Sequence, residues 1–181
     1  PRALVLAGER VPGETLLVAA GVHSGWMAKK LGERGLLEAE RGYHVQFESP
    51  GIALSRPVSS AAGKFFATPM EMGLRVAGTT EFAGLDRPAN PRRAQVLLEH
   101  AKRMFPDLRT EAMTEWMGQR PSTPDYLPVI GPSSRFGNVY YAFGHGHLGV
   151  ASAAPTGRLV ADLVAGRPPA IDMRPYRVDR F

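Results

Sequence analysis

Short stretches of this 181-residue chain hold residue types that could do chemistry. The first is GHGHLG, residues 144–149. Written out it is G-x-G-x-x-G, the turn that lets backbone approach a dinucleotide pyrophosphate. It also carries His145 and His147, which raises the question of a metal. The second is WMGQRPSTPDYLPVIGP, residues 116–132, in which Arg120 precedes a turn stiffened by Pro121, Pro124 and Pro128. A guanidinium fixed there could grip a carboxylate through two parallel hydrogen bonds. It could equally be a surface arginine paired with Asp125. The third is RGYHV, residues 41–45, where Tyr43 and His44 bring a hydroxyl and an imidazole to the start of a strand.

Spacing weighs these readings. In an extended segment His145 and His147 would point to opposite sides, and His23, His44 and His100 show no ligand spacing, so no metal is expected. The dinucleotide reading has the right order: NVYYAF before the glycines and SAAPTGRLVADLVAG after them. It lacks a second strand ending in an acid about 20 residues on. Asp172 lies near that distance, but in the Pro-rich AGRPPAIDMRPY. Pro155 further suggests a helix starting several residues after Gly149. The plainer role of these glycines is to let backbone pass close to a core or to a flat ligand.

The elements that must position these residues follow from punctuation and periodicity. ALVLAG and TLLVAAG are apolar runs of strand length with the Pro-Gly signal of ERVPGE between them. TLLVAAG does not alternate, which predicts burial on both faces. A short helix is expected from Ser24 as N-cap, with Trp26, Met27 and Leu31 on one side. GYHVQFES alternates as a half-buried strand. KFFATPMEMGLRVAGTTEFAG reads as a hairpin around Glu71–Gly73. NPRRAQVLLEHAKRMFPDL is the clearest helix: Asn90 caps it, Pro91 takes the first position and Pro106 ends it. Val96, Leu97, Leu98, Ala101, Met104 and Phe105 make its apolar stripe. NVYYAF is a strand, and a last helix from near Thr156 ends about Gly166. Helices and hairpins are segregated, which predicts an α+β chain.

Composition sets the outer bounds. There is no cysteine, and net charge is +5 from 22 basic and 17 acidic residues without a like-charge run. That excludes disulfides and thiolate metal sites and gives no nucleic-acid footprint. No apolar run reaches the roughly 20 residues of a transmembrane segment, and no basic leader precedes an apolar stretch. A cytoplasmic location is expected, with peripheral attachment to the inner membrane left open. The start PRALVLAGER, without Met, reads as the interior of a longer protein.

Together, TLLVAAGVHSGW, ERGYHV, WMGQRPSTPDYLPVIGP and FGHGHLGVASAAPTGRLVADLVAG, in this order, resemble the C-terminal portion of FAD-dependent oxidoreductases of the D-amino acid oxidase superfamily. The likeness is strongest to bacterial D-amino acid dehydrogenase small subunits and glycine or sarcosine oxidases, and it covers essentially the whole chain. The resemblance implies a substrate lobe with a largely antiparallel sheet and helices, at about 41–122. It also implies parts of a Rossmann-type FAD lobe, at about 1–40 and 123–181. The family's own pyrophosphate fingerprint, an N-terminal FAD-binding segment, is not within these residues. The implied reaction passes a hydride from an amino acid or amine Cα to FAD, and the imine is hydrolysed to a keto acid.

By the same resemblance, Arg120 pairs with the substrate carboxylate and orients it, no residue acting as acid or base. GHGHLG lies against the flavin, so that Gly144, His145, Gly146, His147, Leu148 and Gly149, with Thr156, are cofactor residues, as are Ala20 and Gly21 near the linker. Tyr43 and His44 are placed at a substrate pocket. Glycine-oxidase-like members carry a second arginine in this loop; here His147 takes that place and is expected to touch substrate or flavin. The electron acceptor stays open. The isolated 181 residues are expected to bind FAD poorly and to turn nothing over. A stand-alone binding or interaction module, or an NAD enzyme using GHGHLG itself, are the alternatives.

Overall fold

Turn residues decide where the strands stop. The computed structural model describes residues 1–181, the side chain of Leu6 excepted. Strand β1 (Ala3–Leu6) pairs antiparallel with β2 (Glu9–Pro12) across Ala7 and Gly8, which both take positive φ, 49° and 89°. The ERVPGE segment between the two expected strands thus holds a further strand of its own; Pro12 ends it at the Pro-Gly signal, and an additional reversal lies at Ala7 and Gly8. The chain divides into two compact units, residues 1–39 with 120–181, and residues 40–119.

In the first unit β3 (Leu16–Val18), β9 (Val129–Pro132) and β10 (Val139–Phe143) form a sheet in the order β3-β10-β9. The β3–β10 pair is parallel and the β10–β9 pair antiparallel. β3 is three residues long and Leu17 is 44% exposed, so it is not the doubly buried strand that the missing alternation predicted. Helix α1 (Ser24–Lys30) follows a 3-10 turn at Gly21–His23. Ser24 does not cap it: its Oγ accepts from the Ala20 amide at 2.9 Å, and His23 is the capping position. Trp26 is exposed under the Lys30 ammonium, while Met27, Ala28 and Leu31 face the core around Val18, Val139 and Tyr141. Buried Glu33 accepts from the Ser133 hydroxyl and from the Ser134 hydroxyl and amide, which anchors the exit of α1 to the β9–β10 turn.

Helix α3 (Gly149–Val164) starts seven residues earlier than Thr156. Pro155 sits inside it, in the second turn, where its missing N–H removes one helical bond that the packing of Leu159 and Val160 on Ile130 offsets. The late helix start is thus no argument against a dinucleotide turn. The missing second strand still is: after α3 the described residues form only a 3-10 turn, Arg174–Tyr176, and Asp172 precedes it.

The second unit is built on a sheet in the order β5-β6-β7-β4-β8. Its strands are β4 (Glu38–Phe47), β5 (Val58–Ser60), β6 (Phe65–Met70), β7 (Gly73–Phe82) and β8 (Met113–Ser122). β4 begins and β8 ends in the first unit's residues. The β6–β7 hairpin closes at Met70 and Gly73, as the turn signal predicts. Helix α2 (Pro91–Met104) covers one sheet face, and the Asn90 side chain accepts from the Arg92 amide at its start. Ala94, Leu97 and Ala101 are the buried residues of α2; Val96 and Met104 are exposed. They meet Tyr43, Val45, Phe47, Phe65, Ala67 and Val76, a period-two set. Truncating a residue such as Leu97 to Ala would cost about 2–5 kcal/mol. β4 is buried almost throughout rather than half-buried.

Candidate functional site

Strand β10 delivers the chain to Gly144, whose φ is +82°. A Cβ there would lie 2.8 Å from Thr123 Cγ2, so both the conformation and the space call for glycine. His145 then makes an isolated antiparallel bridge to Ser122 at the end of β8. Gly146–Leu148 turn as a 3-10 segment and feed directly into α3. No side chain caps α3 at Leu148, so its first amides and the helix dipole present positive potential at this loop.

His145 is half-buried, and its Nε2 lies 3.0 Å from the Thr156 hydroxyl, itself buried. Burial pushes the His145 pKa down, which keeps the ring neutral at pH 7. His147 and Leu148 are exposed. Beside this loop, Leu17, Ala19, Ala142, His145, Thr156 and Val160 line part of an apolar hollow of about 640 Å³. Gly21, at φ +57°, turns the chain after β3. The Ala20 amide is already spent on Ser24.

Arg120 lies two residues before the end of β8 and is partly buried. Its Nη1 is buried without a hydrogen-bond partner. The pairing with Asp125 that its sequence neighbourhood allowed does not form: Asp125 is held by Arg180, at 2.9 Å through each carboxylate oxygen. A buried, unpaired guanidinium nitrogen is costly and fits an anionic partner.

Tyr43 and His44 part company. Tyr43 is 3% exposed and packs under α2; its hydroxyl donates to Glu81 Oε2 at 2.6 Å and accepts from the Asn90 amide at 3.0 Å. Its polar handle closes a structural network, so the expected pocket position of Tyr43 is replaced by a core one. A bulge between Gly42 and His44 sits at this point of β4. His44 faces the opposite side, stacked on Trp116 with ring centroids 4.9 Å apart. Burial, then the Arg75 charge, push its pKa down. It lines an open hollow of about 570 Å³ with Gln46, Glu48, Arg75 and Trp116.

Within the first unit the structure gathers Ser122, Tyr126, His145, Gly146 and Thr156. A Cβ on Gly146 would sit 3.6 Å from Ser122 Oγ and 4.0 Å from Tyr126 Cδ1. Sequence reasoning missed Tyr126 and Arg180. The TPD turn was visible, but neither the tyrosine's conformation nor a partner 55 residues away leaves a local signal.

These residues fit a flat anionic cofactor. The loop offers glycine backbone, an uncapped helix start and an apolar wall, and a lone arginine nitrogen waits at the adjoining strand. The model of a family described as FAD dependent oxidoreductase (DAO) matches residues 3–163. A D-amino-acid oxidase of Bradyrhizobium diazoefficiens is 39% identical over 183 residues, covering 99% of this chain and 44% of that protein. A D-amino acid dehydrogenase of Paramagnetospirillum magneticum is 37% identical over 193 residues, covering 99% and 46%. The crystal structure of glycine oxidase from Geobacillus kaustophilus superposes with a TM-score of 0.84 at 25% identity, covering 99% of this chain and 49% of that one. The chain thus spans about half the length, or slightly less, of the relatives it matches.

Proposed function

The chain belongs to the FAD dependent oxidoreductase (DAO) family, and from that premise we propose that the protein it forms part of oxidises a D-amino acid or a related amine. The orphaned Nη1 of Arg120 carries this reading. A substrate carboxylate would complete its hydrogen bonding and turn the substrate Cα to a fixed direction. Oxidation at Cα asks little acid or base work of the protein and much of orientation, so a positioned arginine is the main requirement.

The loop Gly144–Gly149, the start of α3 and Thr156 would hold the flavin end of FAD, with Ala20 and Gly21 near its linker. When bound, FAD supplies the two-electron acceptor for the hydride leaving the substrate Cα; the amine proton goes to solvent and water converts the imine to a keto acid and ammonia. The uncapped α3 amides stabilise negative charge at that end of the loop. Neutral His145 keeps the loop fixed through Thr156, and exposed His147 would meet substrate or cofactor. Residues 1–40 and 123–181 belong to the FAD-binding lobe in this reading and 41–122 to the substrate lobe, with His44 on the latter's open sheet face.

No described helix is long and apolar enough to cross a membrane. Electron delivery to a peripheral membrane acceptor is one arm of the reading and oxygen the other; hydrogen peroxide release separates them. Residues 1–181 by themselves are expected to bind FAD weakly and to be inactive; a stoichiometric flavin spectrum from that polypeptide would refute this.

The main test uses the full-length protein. Arg120→Ala should lower kcat/KM by about 2–5 kcal/mol in transition-state terms through lost charge-assisted binding. An unchanged kcat/KM sinks the assignment.

A further inference from the structure

We propose that Tyr126 is a specificity-determining wall of the site described above, and that Arg180 is the positioning residue that holds it there. The proposal rests on the amino acid oxidation reading.

Tyr126 has φ +59°, one of few non-glycine residues in the left-handed region. A tyrosine gains nothing there that glycine or asparagine would not provide with less strain. It is not bought by burial either: the side chain is 59% exposed. Strain of this kind persists only where the surroundings over-determine the backbone, and it gathers at functional sites.

The surroundings do over-determine it. The Tyr126 amide donates to the Thr123 carbonyl at 3.2 Å, and the Leu127 amide donates to Asp125 Oδ1 at 3.0 Å. The Thr123 hydroxyl donates to the Leu127 carbonyl at 2.7 Å. Arg180 then closes the turn from outside. Its Nε and Nη2 donate to the two Asp125 oxygens at 2.9 Å each, and Nη2 also donates to the Leu127 carbonyl at 2.6 Å. Its side chain is only 9% exposed. Two residues before it, Val178 is buried in the core with Val139 and Tyr141, which anchors the tail. The Arg180 guanidinium, with burial opposing, holds the Asp125 carboxyl at about 2, so the pair stays charged at any working pH.

The result is a fixed turn whose backbone sets the aromatic ring beside Gly146, the central glycine of the 144–149 loop, with Tyr126 Cδ1 4.0 Å and Ser122 Oγ 3.6 Å from a Cβ placed on it. Arg120 lies two residues before Ser122 on β8. An exposed ring set by its backbone beside that loop is suited to limiting the size of a substrate side chain rather than to chemistry.

The experiment uses the full-length flavoprotein with glycine, D-alanine and D-phenylalanine as substrates. Tyr126→Gly should hold or raise Tm, because it relieves the left-handed strain. It should also raise the D-phenylalanine to D-alanine ratio of kcat/KM about tenfold, through KM more than kcat. Tyr126→Ala should move the ratio the same way, and Tyr126→Phe should keep it. Arg180→Ala should lower Tm and shift the ratio in the same direction. A ratio within about twofold of wild type in both Tyr126→Gly and Tyr126→Ala overturns the wall. A wild-type ratio in Arg180→Ala overturns the positioning role. Full activity in Arg120→Ala would instead overturn the underlying reading, whatever Tyr126 does.

Discussion

The Nε2 of His145 lies 3.0 Å from the Thr156 hydroxyl, so the loop leaving β10 is tied to the helix it feeds two turns further on. This bond spans the whole glycine segment, and it explains how a stretch with three glycines keeps one shape. Burial of the ring, rather than this bond, favours the uncharged imidazole.

The pH dependence follows from that. Burial lowers the folded pKa of His145, while the unfolded chain titrates near the ordinary 6.5. The unfolded state therefore binds the proton first, and the stability contribution is complete above the ordinary value and lost as pH falls through the folded pKa. Unfolding free energies measured between about pH 8 and 5 should drop toward acid. His145→Gln should flatten that drop in part, with His44, also lowered, accounting for some of the remainder. An unaltered slope in the variant would remove His145 from the explanation.

Tyr43 separates a structural from a substrate role. Tyr43→Phe removes a donor to Glu81 and an acceptor for the Asn90 amide at the start of α2. A loss of about 1–2 kcal/mol in denaturant titration is expected. The KM of the full-length protein should not move; a large rise in KM with stability intact would return Tyr43 to the pocket.

Arg120 should show the reverse pattern. Its buried unpaired nitrogen costs the fold stability, so Arg120→Met is expected to keep or raise Tm while substrate affinity falls. Calorimetry beside steady-state kinetics checks both halves, and a marked loss of Tm would show the guanidinium to be structural.

Gly144 is constrained twice, by φ +82° and by Thr123 Cγ2. Gly144→Ala should destabilise by about 1–3 kcal/mol. Adding Thr123→Ser should recover part of this, since it removes the clashing methyl while keeping a hydroxyl for the Leu127 carbonyl. No recovery would mean that the backbone angle alone sets the cost.

Much of this protein could be read from the chain because the signals were local. Asn90, Pro91 and Pro106 bound a helix whatever surrounds it, and Met70 to Gly73 close a hairpin through their own geometry. The order of TLLVAAG, ERGYHV, the Arg120 segment and GHGHLG marked the family, which the comparisons bear out. Other features were decided only in three dimensions. β3 is only three residues long and leaves Leu17 exposed, because cover for a strand comes from elements distant in sequence. α3 runs through Pro155 because packing outweighs one lost bond. Tyr43 and His44, adjacent in sequence, fall on opposite sheet faces beside a bulge, one under α2 and one against Trp116. Asp125 takes Arg180, distant in sequence, rather than Arg120 nearby, which leaves Arg120 with an unpaired nitrogen. Residue types and local spacing set what chemistry was available; long-range competition for each charge and each buried face decided which residues were left to perform it.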